Sequence, residues 1–266
     1  MTSLDKDAVL SQLHAILKEF FVENTPAFIP GTTPVRLAQP TYDDKEVMQI
    51  LDSLLSKNIT LNQHVSNKVG QFENKWADYI GVTNGVMVNS GSSANLLALH
   101  VLSNPLTKNR IAPGDEVITP ALTWSTTVSP ILNINATPVL VDVCGLDDLT
   151  IDPARIEQAI TEKTKAIMPV HLLGYPCHMK EIMEIADTHN LYVIEDTCEA
   201  HGAAWGTKKA GSYGHLSTFS FFFSHHFTTI EGGMMMTQHD EFAELESGDK
   251  IDEELAPARI GSAICH

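Results

Sequence analysis

Two carboxylates, Glu195 and Asp196, close the apolar run Leu191-Tyr192-Val193-Ile194. An unpaired charge at the end of a buried strand is costly, so this position asks for a partner. A pyridinium nitrogen is one, because a neighbouring carboxylate keeps such a ring protonated and able to draw electrons. An N-cap or a surface ion pair is the other reading. Further along, Thr218 to Gly233 leads from Phe219, Phe221, Phe222 and Phe223 into His225-His226, two threonines and a Gly-Gly turn. The adjacent histidines make a poor metal site, since neighbours on an extended chain face opposite ways. Upstream, Asn89-Ser90-Gly91-Ser92-Ser93-Ala94-Asn95 joins a strand to a helix. There the N–H groups of Ser92, Ser93 and Ala94 could cup an anion, or the turn could be a plain helix cap. Trp124, in Pro120-Ala121-Leu122-Thr123-Trp124-Ser125, could lie flat on an aromatic ring or belong to the core.

The elements that must position these residues follow from hydrophobic period. Helices are expected from Leu4 to Val22, Asp43 to Leu55 and Asn67 to Ile80, with a loop from Thr25 to Pro34. Short β-branched runs then alternate with helical segments. The strands are Val86 to Asn89, Glu116 to Thr119, Thr137 to Val143, Ala166 to Val170 and Leu191 to Glu195. The helices between them are Ser92 to Leu102, Ser125 to Asn133, Pro153 to Ile160 and Met179 to Thr188. Alternation of this kind predicts an α/β fold: a mostly parallel central sheet with helices on both faces. Ligands of such sheets sit beyond the carboxyl ends of the strands, where all four polar segments fall. After Thr237 the pattern degrades into an acidic stretch. The expected division is an N-terminal helix and loop (1–33), a ligand-binding large domain (34–237) and an acidic tail (238–266).

Composition sets the outer limits. The 266 residues carry a formal net charge of -16, which argues against a nucleic-acid partner. No apolar run reaches the roughly 18 residues of a membrane span, and no signal-peptide pattern opens the chain, so a cytoplasmic protein is expected. Cys144, Cys177, Cys198 and Cys265 form no C-x-x-C pair, which speaks against a structural metal site or a disulfide framework.

The four segments, in this order and spacing, resemble the DegT/StrS sugar aminotransferase family, which has the aspartate-aminotransferase fold (pyridoxal-phosphate fold type I). The resemblance covers about Pro34 to Thr237. It implies pyridoxal or pyridoxamine phosphate as cofactor, Ser92, Ser93 and Ser220 at its phosphate, and Trp124 stacked on its ring. It places Asp196 at the ring nitrogen and Glu199 where glutamine is common. The family pattern Ser-Phe-x-x-x-x-Lys-x-x-x-x-x-Glu-Gly-Gly places a lysine six residues before the glutamate, and here that residue is His225. An imidazole makes no stable imine with the pyridoxal aldehyde, but it can move a proton near neutral pH. The substitution looks like the 3-dehydratase branch, which removes the C3 hydroxyl of nucleotide-linked 4-keto-6-deoxy sugars for surface polysaccharides. In those enzymes the histidine removes a proton from the cofactor's C4′ carbon. One cysteine follows the histidine, so no iron–sulfur cluster is expected, as in the GDP-4-keto-6-deoxymannose type, which takes glutamate as amino donor. The resemblance also implies a homodimer. Relatives continue into a small C-terminal domain, so the chain reads as a C-terminally truncated form. An aminotransferase lacking its lysine, and a non-catalytic fragment that binds cofactor or a full-length partner, are the alternative readings.

Overall fold

The computed structural model describes residues 5–36, 41–56 and 68–247. The chain divides into two compact units, Met1–Gly70 and Gln71–His266. The division expected from sequence, after residue 33, separates two helices that the structure keeps in one unit: α1 (Lys6–Asn24) and α2 (Asp44–Leu55). Lys6 pairs with Asp52 at 2.8 Å and His14 with Asp44 at 2.7 Å, which ties α1 to α2. Asp43 and Glu46 form a reciprocal capping box at the start of α2. The third helix, α3, is Lys68–Ile80; Asn67, its expected first residue, lies outside the described residues.

The larger unit is built on a seven-stranded sheet. Its strands are β1 (Asn84–Val88), β2 (Glu116–Pro120), β3 (Thr137–Val141), β4 (Thr164–Ile167), β5 (Tyr192–Asp196), β8 (Leu216–Ser220) and β9 (Gly233–Thr237). They lie in the order β1-β9-β8-β5-β4-β2-β3. The pairs β2–β3, β2–β4, β4–β5 and β5–β8 are parallel, and β9 runs antiparallel to both β8 and β1. Six strands therefore point one way, and the expected mostly parallel sheet is present. A two-stranded hairpin, β6 (Ala204–Trp205) with β7 (Lys208–Lys209), stands apart.

Helices α4 (Gly91–Ser103), α5 (Ser125–Asn133), α6 (Pro153–Ala159) and α7 (Met179–His189) fill the crossovers. Leu97, Leu99 and Leu102 of α4 pack with Val117, Ile131 and Ile194 in one fully buried cluster. Ile156 of α6 and Ile182 of α7 pack with Ile118, Ile167 and Val193 in a second. Burying side chains of this size stabilises by about 1.5–3 kcal/mol each.

Besides the β6–β7 hairpin, two elements depart from the sequence reading. Beyond Thr237 the expected tail begins with a helix, α8 (Asp240–Ser247), whose Phe242 and Leu245 enter the first core cluster. The later residues of that tail lie outside the described ones. The second is β9, whose Met234, Met235 and Met236 are all fully buried in a strand that β8 and β1 cover on both edges. No helix among the described residues is long and apolar enough to cross a membrane.

Candidate active site

The sheet register brings three of the sequence segments to one place. Gly233 opens β9 opposite Val88 on one side and Ser220 on the other. A Cβ on Gly233 would lie 2.2 Å from the Ser90 backbone, and a Cβ on Gly91 would lie 2.5 Å from Ser220 Cβ and 2.8 Å from Cys198 Sγ. Real Cβ atoms do not approach so closely. Both glycines are therefore required by contact, and neither has the positive φ that usually selects glycine. The N-terminus of α4, the buried hydroxyl of Ser220 and the thiol of Cys198 thus form one cradle.

Within that cradle the helix uses some of its own donors. Ser90 caps α4: its Oγ accepts the Ser93 N–H at 3.1 Å and its carbonyl accepts the Ala94 N–H at 3.0 Å. Of the three N–H groups expected to meet an anion, two are satisfied within the helix. The N–H of exposed Ser92 at the first turn is the one left to serve, with the Ser92 and Ser93 hydroxyls beside it.

The paired carboxylates divide their work because side chains alternate across a strand. Glu195 is fully buried and accepts N–H groups from Gly211, Tyr213 and Gly214 at 2.6–2.8 Å. It also meets His171 Nε2 at 3.0 Å. His171 Nδ1 accepts the Cys177 N–H, so Nε2 carries the proton toward Glu195. Glu195 is a brace. Asp196, 4% exposed, faces the other way. Its Oδ2 accepts from Asn95 Nδ2 and Thr127 Oγ1, both at 2.9 Å, and its Oδ1 accepts the Cys198 N–H at 3.2 Å. Among the described residues no lysine or arginine pairs with it, which leaves a buried carboxylate held by neutral donors alone.

Sequence reasoning missed Asn95, Thr127 and Thr218, the residues that orient Asp196. Thr218 Oγ1 donates to Asn95 Oδ1 at 2.6 Å, which turns the amide nitrogen toward the carboxylate. The available signal was a lone asparagine in the apolar helical run Ala94-Asn95-Leu96-Leu97-Ala98, and the structure buries it fully.

His225 lies in the turn after β8, its N–H bonded to the Phe222 carbonyl at 3.0 Å. Its partly buried ring is within electrostatic reach of Glu199 and Asp196. Burial lowers its proton affinity, Glu199 and Asp196 raise it, His226 lowers it, and the net pKa is below the ordinary 6.5. Glu199 accepts the Leu173 N–H through Oε2 at 2.9 Å, so one of its oxygens holds a backbone turn in which Leu173 is left-handed. Trp124, 70% exposed, is the N-cap residue of α5, and its carbonyl accepts the N–H of Thr127, the residue that bonds Asp196.

Behind His225 the ring of His201 is wedged among Trp76, Phe219, Phe221 and Phe227 at centroid distances of 5.5–6.0 Å. Its Nδ1 accepts the Phe227 N–H at 3.3 Å. Burial, then the neighbouring His225 and His226, push its pKa from 6.5 down to about 4. A histidine buried neutral binds its proton more readily when unfolded, so the folded state loses stability as pH falls from 6.5 toward 4, by about 3 kcal/mol. We expect urea unfolding at pH 7 and pH 4.5 to give a smaller difference for His201→Phe, by about 2 kcal/mol. An unchanged acid loss would remove His201 as its source.

Residues 41–247 match the sequence profile of the DegT/DnrJ/EryC1/StrS aminotransferase family. The chain belongs to that family. Among DegT-family relatives, it is 42% identical over 205 residues to GDP-4-keto-6-deoxy-D-mannose 3-dehydratase of Yersinia pseudotuberculosis, covering 77% of this chain and 51% of the relative. It is also 42% identical over 209 residues to GDP-perosamine synthase of Caulobacter vibrioides, covering 79% and 53%. Among solved structures, the E. coli GDP-4-keto-6-deoxy-D-mannose-3-dehydratase with bound hydrated PLP superposes with a TM-score of 0.74 at 38% identity, over 80% of this chain and 53% of the other. The fold is that of the PLP-dependent fold type I enzymes. The chain spans about half the length of the curated relatives it matches.

Proposed function

We propose that this chain is the cofactor-binding part of a pyridoxamine-phosphate-dependent sugar-nucleotide 3-dehydratase, with His225 as the base. The observation that carries the reading is a histidine, held within reach of Asp196 and Glu199, at the position where the family pattern has lysine. Residues 210–249 contain no lysine at all.

The cradle fits the cofactor. Because Gly91 has no side chain, the first turn of α4 packs directly against Ser220 and Cys198, which sets the Ser220 hydroxyl beside the start of the helix. Ser92, Ser93 and Ser220 would hold that phosphate, Trp124 a ring face, Asp196 the ring nitrogen and Glu199 a polar edge. When bound, pyridoxamine phosphate supplies an amine that condenses with the sugar ketone and an electron sink for the bond-breaking that follows. Asp196, with no lysine or arginine paired to it among the described residues, would keep a proton at the ring nitrogen. His225, its pKa lowered by burial, would serve as the base that takes a proton at C4′. Phe222, Phe223 and Phe227, each 40–52% exposed in the same loop, supply apolar surface that a second copy of the chain would cover. The proposed partners are a nucleotide-linked 4-keto-6-deoxy sugar, glutamate as amino donor and that second copy.

The test is incubation with pyridoxamine phosphate, glutamate and a panel of 4-keto-6-deoxy sugar nucleotides, followed by mass spectrometry. We expect the sugar to exchange its C3 hydroxyl for hydrogen while glutamate becomes 2-oxoglutarate and ammonia is released. An amino sugar as product would favour the second reading, transamination, which the equal identity to GDP-perosamine synthase supports.

Gly91→Ala gives a narrower test of the cradle. The added methyl must displace Ser220 or Cys198, and forced overpacking of this kind costs about 1–3 kcal/mol. The displacement would misplace the Ser220 hydroxyl and the first turn of α4 relative to each other, and we expect pyridoxal phosphate affinity to fall about tenfold or more, read by absorbance titration. Unchanged affinity would place the phosphate elsewhere.

A further inference from the structure

Folding brings Cys144, Asp148 and His178 together, residues that no spacing rule connects. Cys144 and Asp148 lie on a tight turn after β3, closed by the Cys144 N–H to the Thr150 carbonyl and the Gly145 N–H to the Asp148 carbonyl, both at 3.0 Å. His178 immediately precedes α7, the helix that joins β4 to β5. One ligand atom from each of the three side chains lies within 4.8 Å of the other two.

Asp148 and His178 are already aimed at each other, while the Cys144 thiol donates to the Ile151 carbonyl at 3.7 Å. Asp148 Oδ1 accepts the Thr150 N–H at 3.0 Å and the Thr150 hydroxyl at 2.7 Å, which turns Oδ2 toward His178 Nε2 at 2.7 Å. The His178 ring is braced by Trp205 at 5.9 Å, and Trp205 is fixed in turn by its Nε1–H to the Cys177 carbonyl at 2.8 Å. Asp148 and Asp152 put two negative charges within electrostatic reach of the Cys144 sulfur, a field that draws a cation. All three donors are partly open to solvent, so an ion can enter and a water can complete the shell.

We infer that Cys144, Asp148 and His178 form a binding site for a divalent transition-metal ion. Thiolate, imidazole and carboxylate in a three-donor cluster suit Zn²⁺ or Co²⁺ in tetrahedral coordination with water, and the hard ions Mg²⁺ and Ca²⁺ much less. Tetrahedral bonds of about 2.0–2.3 Å require donors a little over 3 Å apart, so the Asp148–His178 contact at 2.7 Å must open slightly and Cys144, within 4.8 Å of both, must draw in. The ion would tie the turn at 144–150 to the start of α7. That turn and Leu172, Leu173 and Tyr175 line a common depression, and Leu173 is the residue whose N–H holds Glu199. The inference is independent of the proposed reaction.

Co²⁺ is the probe, because a cobalt–thiolate bond gives a charge-transfer band in the near ultraviolet. Titration of the whole chain should give that band at one equivalent and submillimolar Co²⁺. Cys144→Ser should abolish it, and His178→Gln should weaken binding at least about tenfold, with far-ultraviolet circular dichroism confirming that both variants fold. Cys198→Ser and Cys265→Ser should leave the band in place. No band in the unmutated chain, a band that survives Cys144→Ser, or one lost with Cys265→Ser would each overturn the site.

Discussion

His225→Lys is expected to link the chain covalently to pyridoxal phosphate and to abolish C3 deoxygenation. A primary amine at this position can form an imine with the cofactor aldehyde, which an imidazole cannot. Borohydride should then fix the cofactor to residue 225, seen as one modified peptide. Deoxygenation should fall by about 10²–10⁴-fold, the usual worth of a positioned acid–base group. The electrostatics favour the swap. Glu199 and Asp196 already act on the side chain at 225 in the direction that stabilises a positive charge, so a lysine there has partners. A His225→Lys chain that keeps deoxygenating would remove the imidazole from the reaction.

Asp196→Asn is expected to cost far more activity than Glu199→Gln. The amide oxygen of an asparagine can replace Oδ2 and still accept from Asn95 and Thr127. Its NH₂ then lands where Oδ1 now receives the Cys198 N–H, and two donors face each other. Losing that bond costs about 1 kcal/mol of stability, whereas losing the negative charge removes what keeps a ring nitrogen protonated. We expect activity to drop at least about 10²-fold in Asp196→Asn. Glu199→Gln keeps the acceptor for the Leu173 N–H and introduces the residue common in the family, so its loss should stay within about threefold. Equal losses would mean that Asp196 does not set the protonation of the ring.

Much of this architecture was legible in the residues. The period of apolar positions located α5 from Ser125 to Asn133 to the residue, and the other crossover helices and the parallel strands to within a few positions. Two elements escaped for physical reasons. Met234, Met235 and Met236 carry no alternation because β9 is buried on both faces, and a short apolar run after two glycines reads as a turn. Helix α8 is acidic, with Phe242 and Leu245 as its apolar contacts to the core.

The site was legible in outline and ambiguous in detail. Asp196 and Glu195 look alike in sequence, and only alternation across β5 separates the site carboxylate from the brace. What satisfies Glu195 comes from Gly211 to Gly214 and His171, at distances along the chain that no local pattern encodes. Asn95, Thr127 and Thr218 escaped for the same reason, since their role depends on three separate elements meeting at one carboxylate. The cysteines were weighed by spacing alone, which hides a cluster such as Cys144 with His178.

The central claim is that an imidazole occupies the place where a lysine would hold the cofactor. Its most direct test is to saturate the unmutated chain with pyridoxal phosphate, reduce with borohydride and map the peptides. The account predicts saturable binding with no lysine modified in proportion to the bound cofactor. One lysine carrying the cofactor stoichiometrically, or no saturable binding at all, would contradict it.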